Sequence, residues 1–124
     1  MEYVINISEN KRYIIIKVSG EMEGKTSMQY IEESHALGKE KGIDKFLIDL
    51  TSARNNLRVI ENYEFAYDKV APNPKLNKIA KVALLVSKKD HSHDFIETVM
   101  INSGMPVRLF RNLEGALNFL EEEI

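Results

Sequence analysis

Hydrophobic and polar positions along this chain switch between a period of two and a period of three to four, and each switch marks a new element. Residues 3–7 alternate in period two, and Tyr13, Ile14, Ile15, Ile16, Lys17 and Val18 form a β-branched, nearly apolar run. The polar stretch 8–12 between them is turn material, so the two runs predict an antiparallel hairpin. A polar break at 20–24 precedes a helix that Thr26 or Ser27 caps and that runs to about Lys41, with Gly42 as its stop. Met28, Ile31 and His35 fall on one stripe of this helix, Tyr30 and Leu37 on another, with Glu32 and Glu33 solvated.

Residues 46–50 are too short and too apolar for a solvent-facing helix, and they read as a strand buried on both faces of a parallel sheet. The run closes on Asp49 and Leu50 and opens into a polar loop, 51–58. Val59, Ile60, Tyr63, Ala66, Tyr67 and Val70 then recur at spacings of three and four, which predicts an amphipathic helix over 59–70 ending before Pro72-Asn73-Pro74. Phe65 falls off that stripe.

Residues 80–86 predict another buried strand. Residues 91–103 predict a helix started by Ser92 or Asp94 and stopped by Gly104, 107–110 a short strand, and 113–122 a closing helix with Ala116, Leu117 and Leu120 facing in. Strands alternating with helices require right-handed crossovers. The expectation is therefore an α/β fold in one domain spanning 1–124. It has a five-stranded, mostly parallel sheet with an N-terminal antiparallel hairpin and four helices, in the order ββαβαβαβα.

At 124 residues the chain is long enough to bury roughly two-thirds of its unfolded surface without staples. It has no cysteine, which excludes disulfides, thiol catalysis and zinc–thiolate sites. The formal charge of -2 creates no field that would draw it onto nucleic acid. Lys69, Lys75, Lys78, Lys81, Lys88 and Lys89 and the acidic run Glu121 to Glu123 read as solvated faces. The N-terminus begins in strand-like alternation with no export signal, and apolar runs such as 82–86 are far below the ~20 residues of a membrane span. No transmembrane segment is read, and a cytoplasmic location is the expectation.

The chemistry-bearing positions gather in the loop 51–58. On a parallel strand's carboxyl end, ahead of a helix, Thr51, Ser52, Arg54, Asn55, Asn56 and Arg58 stand where open α/β sheets bind ligands. Arg54 and Arg58 bring forked donors suited to a phosphate or carboxylate; alternatively Asn55 or Asn56 caps the helix and the arginines are solvated. Tyr63 and Tyr67 read as core aromatics, or as part of a lid or docking face together with Phe65. His91, Ser92, His93, Asp94 and Glu97 are explained by helix initiation, so no metal is expected. His35 reads as a hydrogen-bonded core or boundary histidine, and Asp49 as an acceptor for N–H groups in its own turn. No triad, phosphate loop or carboxylate pair is present, so neither an enzyme nor a cofactor is expected.

The element order resembles the SpoIIAA-like branch of the STAS superfamily, a name that also links it to Sec14-type lipid-binding domains. So do the strand-ending Ile48-Asp49-Leu50, the segment from Gly104 through Pro106 to Phe110, and the closing Glu114-Gly115-Ala116-Leu117-Asn118-Phe119-Leu120. In the anti-sigma-factor antagonists of that superfamily, a serine after the equivalent strand is phosphorylated by a partner kinase. Here that position falls near Asn55 and Asn56, leaving Thr51 and Ser52 to accept a phosphate. The resemblance implies a regulatory module that binds a protein partner through the loop and the following helix. The alternative is a carrier of a lipid-like or small anionic amphiphilic ligand with helix 59–70 as gate. A homodimer is compatible with either.

Overall fold

The structure, a computed structural model, describes residues 1–122; Glu123, the last of the acidic run, and Ile124 lie outside the described residues. Strands β1 (Glu2–Ile7), β2 (Ile14–Glu21), β3 (Lys45–Arg54), β4 (Lys81–Leu85) and β5 (Val107–Phe110) lie side by side in chain order. β1 is antiparallel to β2, and every later pair is parallel. Helices α1 (Gly24–Lys41), α2 (Val59–Tyr63), α3 (Asp94–Asn102) and α4 (Leu113–Glu121) complete the order, and α2 runs on into a π-helical segment, Glu64–Val70. The expected α/β architecture, with its hairpin edge, is the one observed.

Alternation along the central strands feeds two cores. Phe46, Ile48 and Leu50 join Ile14, Ile16, Val82 and Leu84 beneath α1, the π segment and α3. Leu47, Ala83 and Leu85 point the other way and pack on Ala116 and Leu120 of α4. Both faces of β3 and β4 are thus covered, which is why these strands carry so little polar alternation. Ile14, Ile16 and Leu120 are completely buried. Burial of such a side chain contributes about 1.5–3 kcal/mol, a large share of a net stability of about 5–15 kcal/mol.

α1 departs from its expected cap and face. It begins at Gly24 after an extended Glu23 with no side-chain cap, so neither Thr26 nor Ser27 caps it. Its buried stripe is Ser27, Tyr30, Ile31, Ser34, His35 and Gly38, while Met28 and Leu37 are only half-buried. Small residues bring the helix close to the sheet: a Cβ on Gly38 would lie 2.5 Å from the Ile43 carbonyl oxygen and 2.9 Å from Phe46. Gly42, at φ 70°, closes the helix in the left-handed region as expected.

β2 and β3 both run further than the apolar pattern indicated. The expected break at 20–24 begins two residues too early, because Gly20 and Glu21 pair with Ala53 and Arg54. Between the pairs Lys17–Asp49 and Ser19–Ser52 the register shifts, so β3 carries one extra residue. This bulge lets Leu50 and Ala53, three positions apart, enter the same core, which a regular strand forbids. Thr51, Ser52 and Arg54 are therefore strand residues, and the true loop is only 55–58.

Candidate functional site

Beyond the Asp49–Leu85 pair, β3 has no strand on its β4 side. Its backbone groups there still need partners, and side chains of the segment 86–93 supply them. Ser87 Oγ donates to the Thr51 carbonyl (2.9 Å), His93 Nε2 lies 3.0 Å from the Ala53 carbonyl, and the Asn55 amide donates to Ser92 Oγ (3.0 Å). Arg111 holds this segment from below with Nη1, which donates to the carbonyls of Ser87 (3.1 Å) and Asp90 (2.6 Å), and with Nη2, which donates to Asp94 (2.6 Å). The sheet's carboxyl rim is thus a stitched platform.

The loop residues divide between anchors and exposed groups. Asp49 Oδ1 accepts from the Thr51 amide (3.0 Å) and hydroxyl (2.6 Å), the local role expected of it, here serving the bulge. Thr51, Ser52 and Arg54 are exposed. Asn55 is an anchor: its Oδ1 accepts from the Leu57 amide (3.1 Å) and its Nδ2 donates to buried Asn62 (2.9 Å). Asn56 Nδ2 donates to Glu21 (3.1 Å). Neither asparagine caps α2; Arg58 is the N-cap residue. Glu61 accepts from the Arg58 amide (2.9 Å) and from its Nε (3.0 Å), and those contacts, the amide's first, hold the Glu61 carboxyl below its usual range. Arg54 lies 4.0 Å from Asp90. Burial pushes the Asp90 carboxyl up, but hydrogen bonds from Ser92 and the charges of His93 and Arg54 leave it lowered overall. The two arginines thus engage different acids, both near the surface.

The helix after the loop is rotated from its expected phase. Its buried residues are Asn62, Ala66 and Val70, with Phe65 packed against the core, whereas Val59, Ile60, Tyr63 and Tyr67 are exposed. A π-helix closes on i→i+5 bonds, as from the Ala71 amide to the Ala66 carbonyl (2.9 Å). That wider turn brings Phe65 and Val70 to the core together and carries Tyr67 outward. Tyr63 and Tyr67 stack with ring centroids 5.7 Å apart, and Phe95 of α3, which no spacing in the sequence singles out, meets Tyr63 edge-on at 5.8 Å. The outcome is a solvent-facing aromatic strip with Val59 and Ile60 alongside.

Beneath Phe65 a narrow apolar cavity of about 80 Å³ lies between the sheet and the helices. A cavity of about 150 Å³ takes benzene, so an acyl chain does not fit this one. The residues His91 to Glu97 serve separate structural tasks: His91 lies 2.8 Å from Asp94, Glu97 accepts from the Leu109 amide (2.6 Å), and Ser92 anchors Asn55. Neither Ser92 nor Asp94 caps α3, whose N-cap is His93 without a side-chain cap bond. Among the described residues no group of three or more acidic or histidine side chains is placed to hold a metal ion. No helix in the described residues is long and apolar enough to cross a membrane.

The sheet order, the antiparallel first hairpin and the helices packed on both faces make up a STAS-like α/β fold. A solved anti-sigma factor antagonist from Mycobacterium paratuberculosis shares the fold, with a TM-score of 0.59 and 16% identity over 98% of this chain and 94% of that one. Five solved chains match in all. No protein-family model matches the chain, and no curated protein matches it in sequence.

Proposed function

We propose that this chain is a non-enzymatic regulatory module that binds a protein partner through the aromatic strip on α2, the π segment and α3, with the sheet's carboxyl rim as its polar border. The exposure of the strip carries the reading. Val59 is 63%, Ile60 54%, Tyr63 45%, Tyr67 42% and Phe95 38% exposed. Contiguous apolar groups of this kind mark interaction surfaces, and aromatic residues are the usual anchors. Arg54, Asn56 and Arg58 stand at the border as exposed donors, where charges act on association rate and orientation. The fold neighbour's description as an anti-sigma factor antagonist supports a regulatory, protein-directed role. Within this reading, Thr51 and Ser52 are the hydroxyls a kinase would reach.

Affinity capture from the native host, compared across variants, tests it. A partner held by the wild type is expected to stay on Val4→Ser, an exposed control on β1. It should weaken on the order of thirtyfold, about 2 kcal/mol, on the pair Tyr63→Ser and Phe95→Ser. Replacing Arg54 and Arg58 by Ala should weaken it less and mainly slow association. Full retention of every partner by the aromatic pair would sink the reading.

A further inference from the structure

The two edges of the sheet are finished differently. At β5 the edge amides are taken up within the chain: that of Val107 donates to the Met105 carbonyl (2.9 Å) and that of Leu109 to Glu97 Oε2 (2.6 Å). β1 forms the other edge. The Ser8 amide donates to the Tyr13 carbonyl (2.9 Å), which makes Ser8 and Tyr13 a hydrogen-bonded pair. Such pairs alternate with unbonded ones along an antiparallel ladder, so Asn6, Val4 and Glu2 are the residues that bond β2. The amides and carbonyls of Tyr3, Ile5 and Ile7 therefore point off the edge, and no turn, loop or cap bond among the described residues reaches them.

Edge strands are ordinarily blunted by a proline, a bulge, a lysine or a covering segment. β1 carries no such device: it pairs with β2 in unbroken register, its charge is confined to Glu2 at the start, and Val4 is 59% exposed. The strand is also complementary to itself. When two copies run antiparallel about a two-fold axis at Val4, Tyr3 of each faces Ile5 of the other in a hydrogen-bonded pair, and the edges exchange about four backbone bonds. Val4 meets Val4 of the other copy in an unbonded pair, where side chains lie closest, and Glu2 faces Asn6 rather than a second carboxylate. We propose that β1 is a dimerisation edge, on which a second copy of this chain lays its own β1 and joins the two five-stranded sheets into one. A single strand pair is a small interface, so association at about 10–100 μM is expected. α3 packs on β5 at the opposite edge, so the dimer leaves the docking strip open and the inference is independent of the partner reading.

Sedimentation equilibrium of the full chain, from about 5 to 500 μM, tests it. The wild type is expected to pass from monomer to dimer across that range. Val4→Lys and Val4→Glu each set like charges against one another at the two-fold axis and should weaken association on the order of tenfold, while an equimolar mixture of the two should dimerise again through the Lys–Glu pair. Amide hydrogen exchange of the wild type supplies a readout that needs no variant: Tyr3 and Ile5 should gain protection as the dimer forms. A chain that stays monomeric throughout would leave the edge to a strand of another protein and overturn the proposal. So would a dimer that both variants retain at full strength, a mixture no tighter than its components, or a dimer in which the Tyr3 and Ile5 amides exchange as they do in the monomer.

Discussion

His35 turns its burial into a pH dependence. It stacks on Phe46 with centroids 4.5 Å apart and planes 6° from parallel, and its Nδ1 accepts from Asn77. Burial, then the like charge of Lys78, lowers its pKa from 6.5 to about 4. Between those values the unfolded chain binds the extra proton and the folded one does not. Stability is therefore whole above about pH 6.5 and falls as pH drops towards 4, by up to ~3 kcal/mol. Urea unfolding from pH 7 to 4 is expected to show that fall, and His35→Gln, which keeps an acceptor for Asn77, should flatten it; an unchanged slope in the variant would contradict the assignment. The histidine's place on an inward stripe was legible from spacing with Ile31. Its partner Asn77 was not, because the contact joins residues 42 positions apart.

At the scale of elements, Arg111 ties the segment 86–93 to the rim. One guanidinium reaches two carbonyls and a carboxylate, a geometry that a lysine ammonium on its flexible stem does not reproduce. Arg111→Ala is expected to cost about 1–3 kcal/mol, with Arg111→Lys recovering little of it; a Lys variant as stable as wild type in denaturant unfolding would refute this. The two misjudged elements share a cause. Periodicity assumes a regular repeat, and both the bulge after Asp49 and the π turn at 64–70 break it. Past the bulge, polar Thr51 and Ser52 conceal a continuing strand. Through the π turn, a stripe drawn at 3.6 residues places Tyr63 and Tyr67 inside and Phe65 outside, the reverse of the structure.

For the molecule as a whole, the regulatory reading places its switch on the exposed rim of β3. Thr51 Oγ1 already donates to the Asp49 carboxylate at 2.6 Å, so a phosphate there would meet a like charge. Ser52 is exposed, and Arg54 stands two residues along the same strand face, since both flank buried Ala53. Intact-mass and fragment analysis of protein from its native host is expected to find any single phosphate on Ser52; a phosphate on Thr51 would reverse this choice. The sequence alone determined the element order, the double burial of the central strands and the hairpin edge, because each follows from whether neighbouring side chains meet water or the core. Only the tertiary structure decided which face of α2 looks outward, how far β3 extends and which loop completes its unpaired edge. Those outcomes rest on backbone hydrogen bonds and packing between distant segments, which a local repeat does not encode.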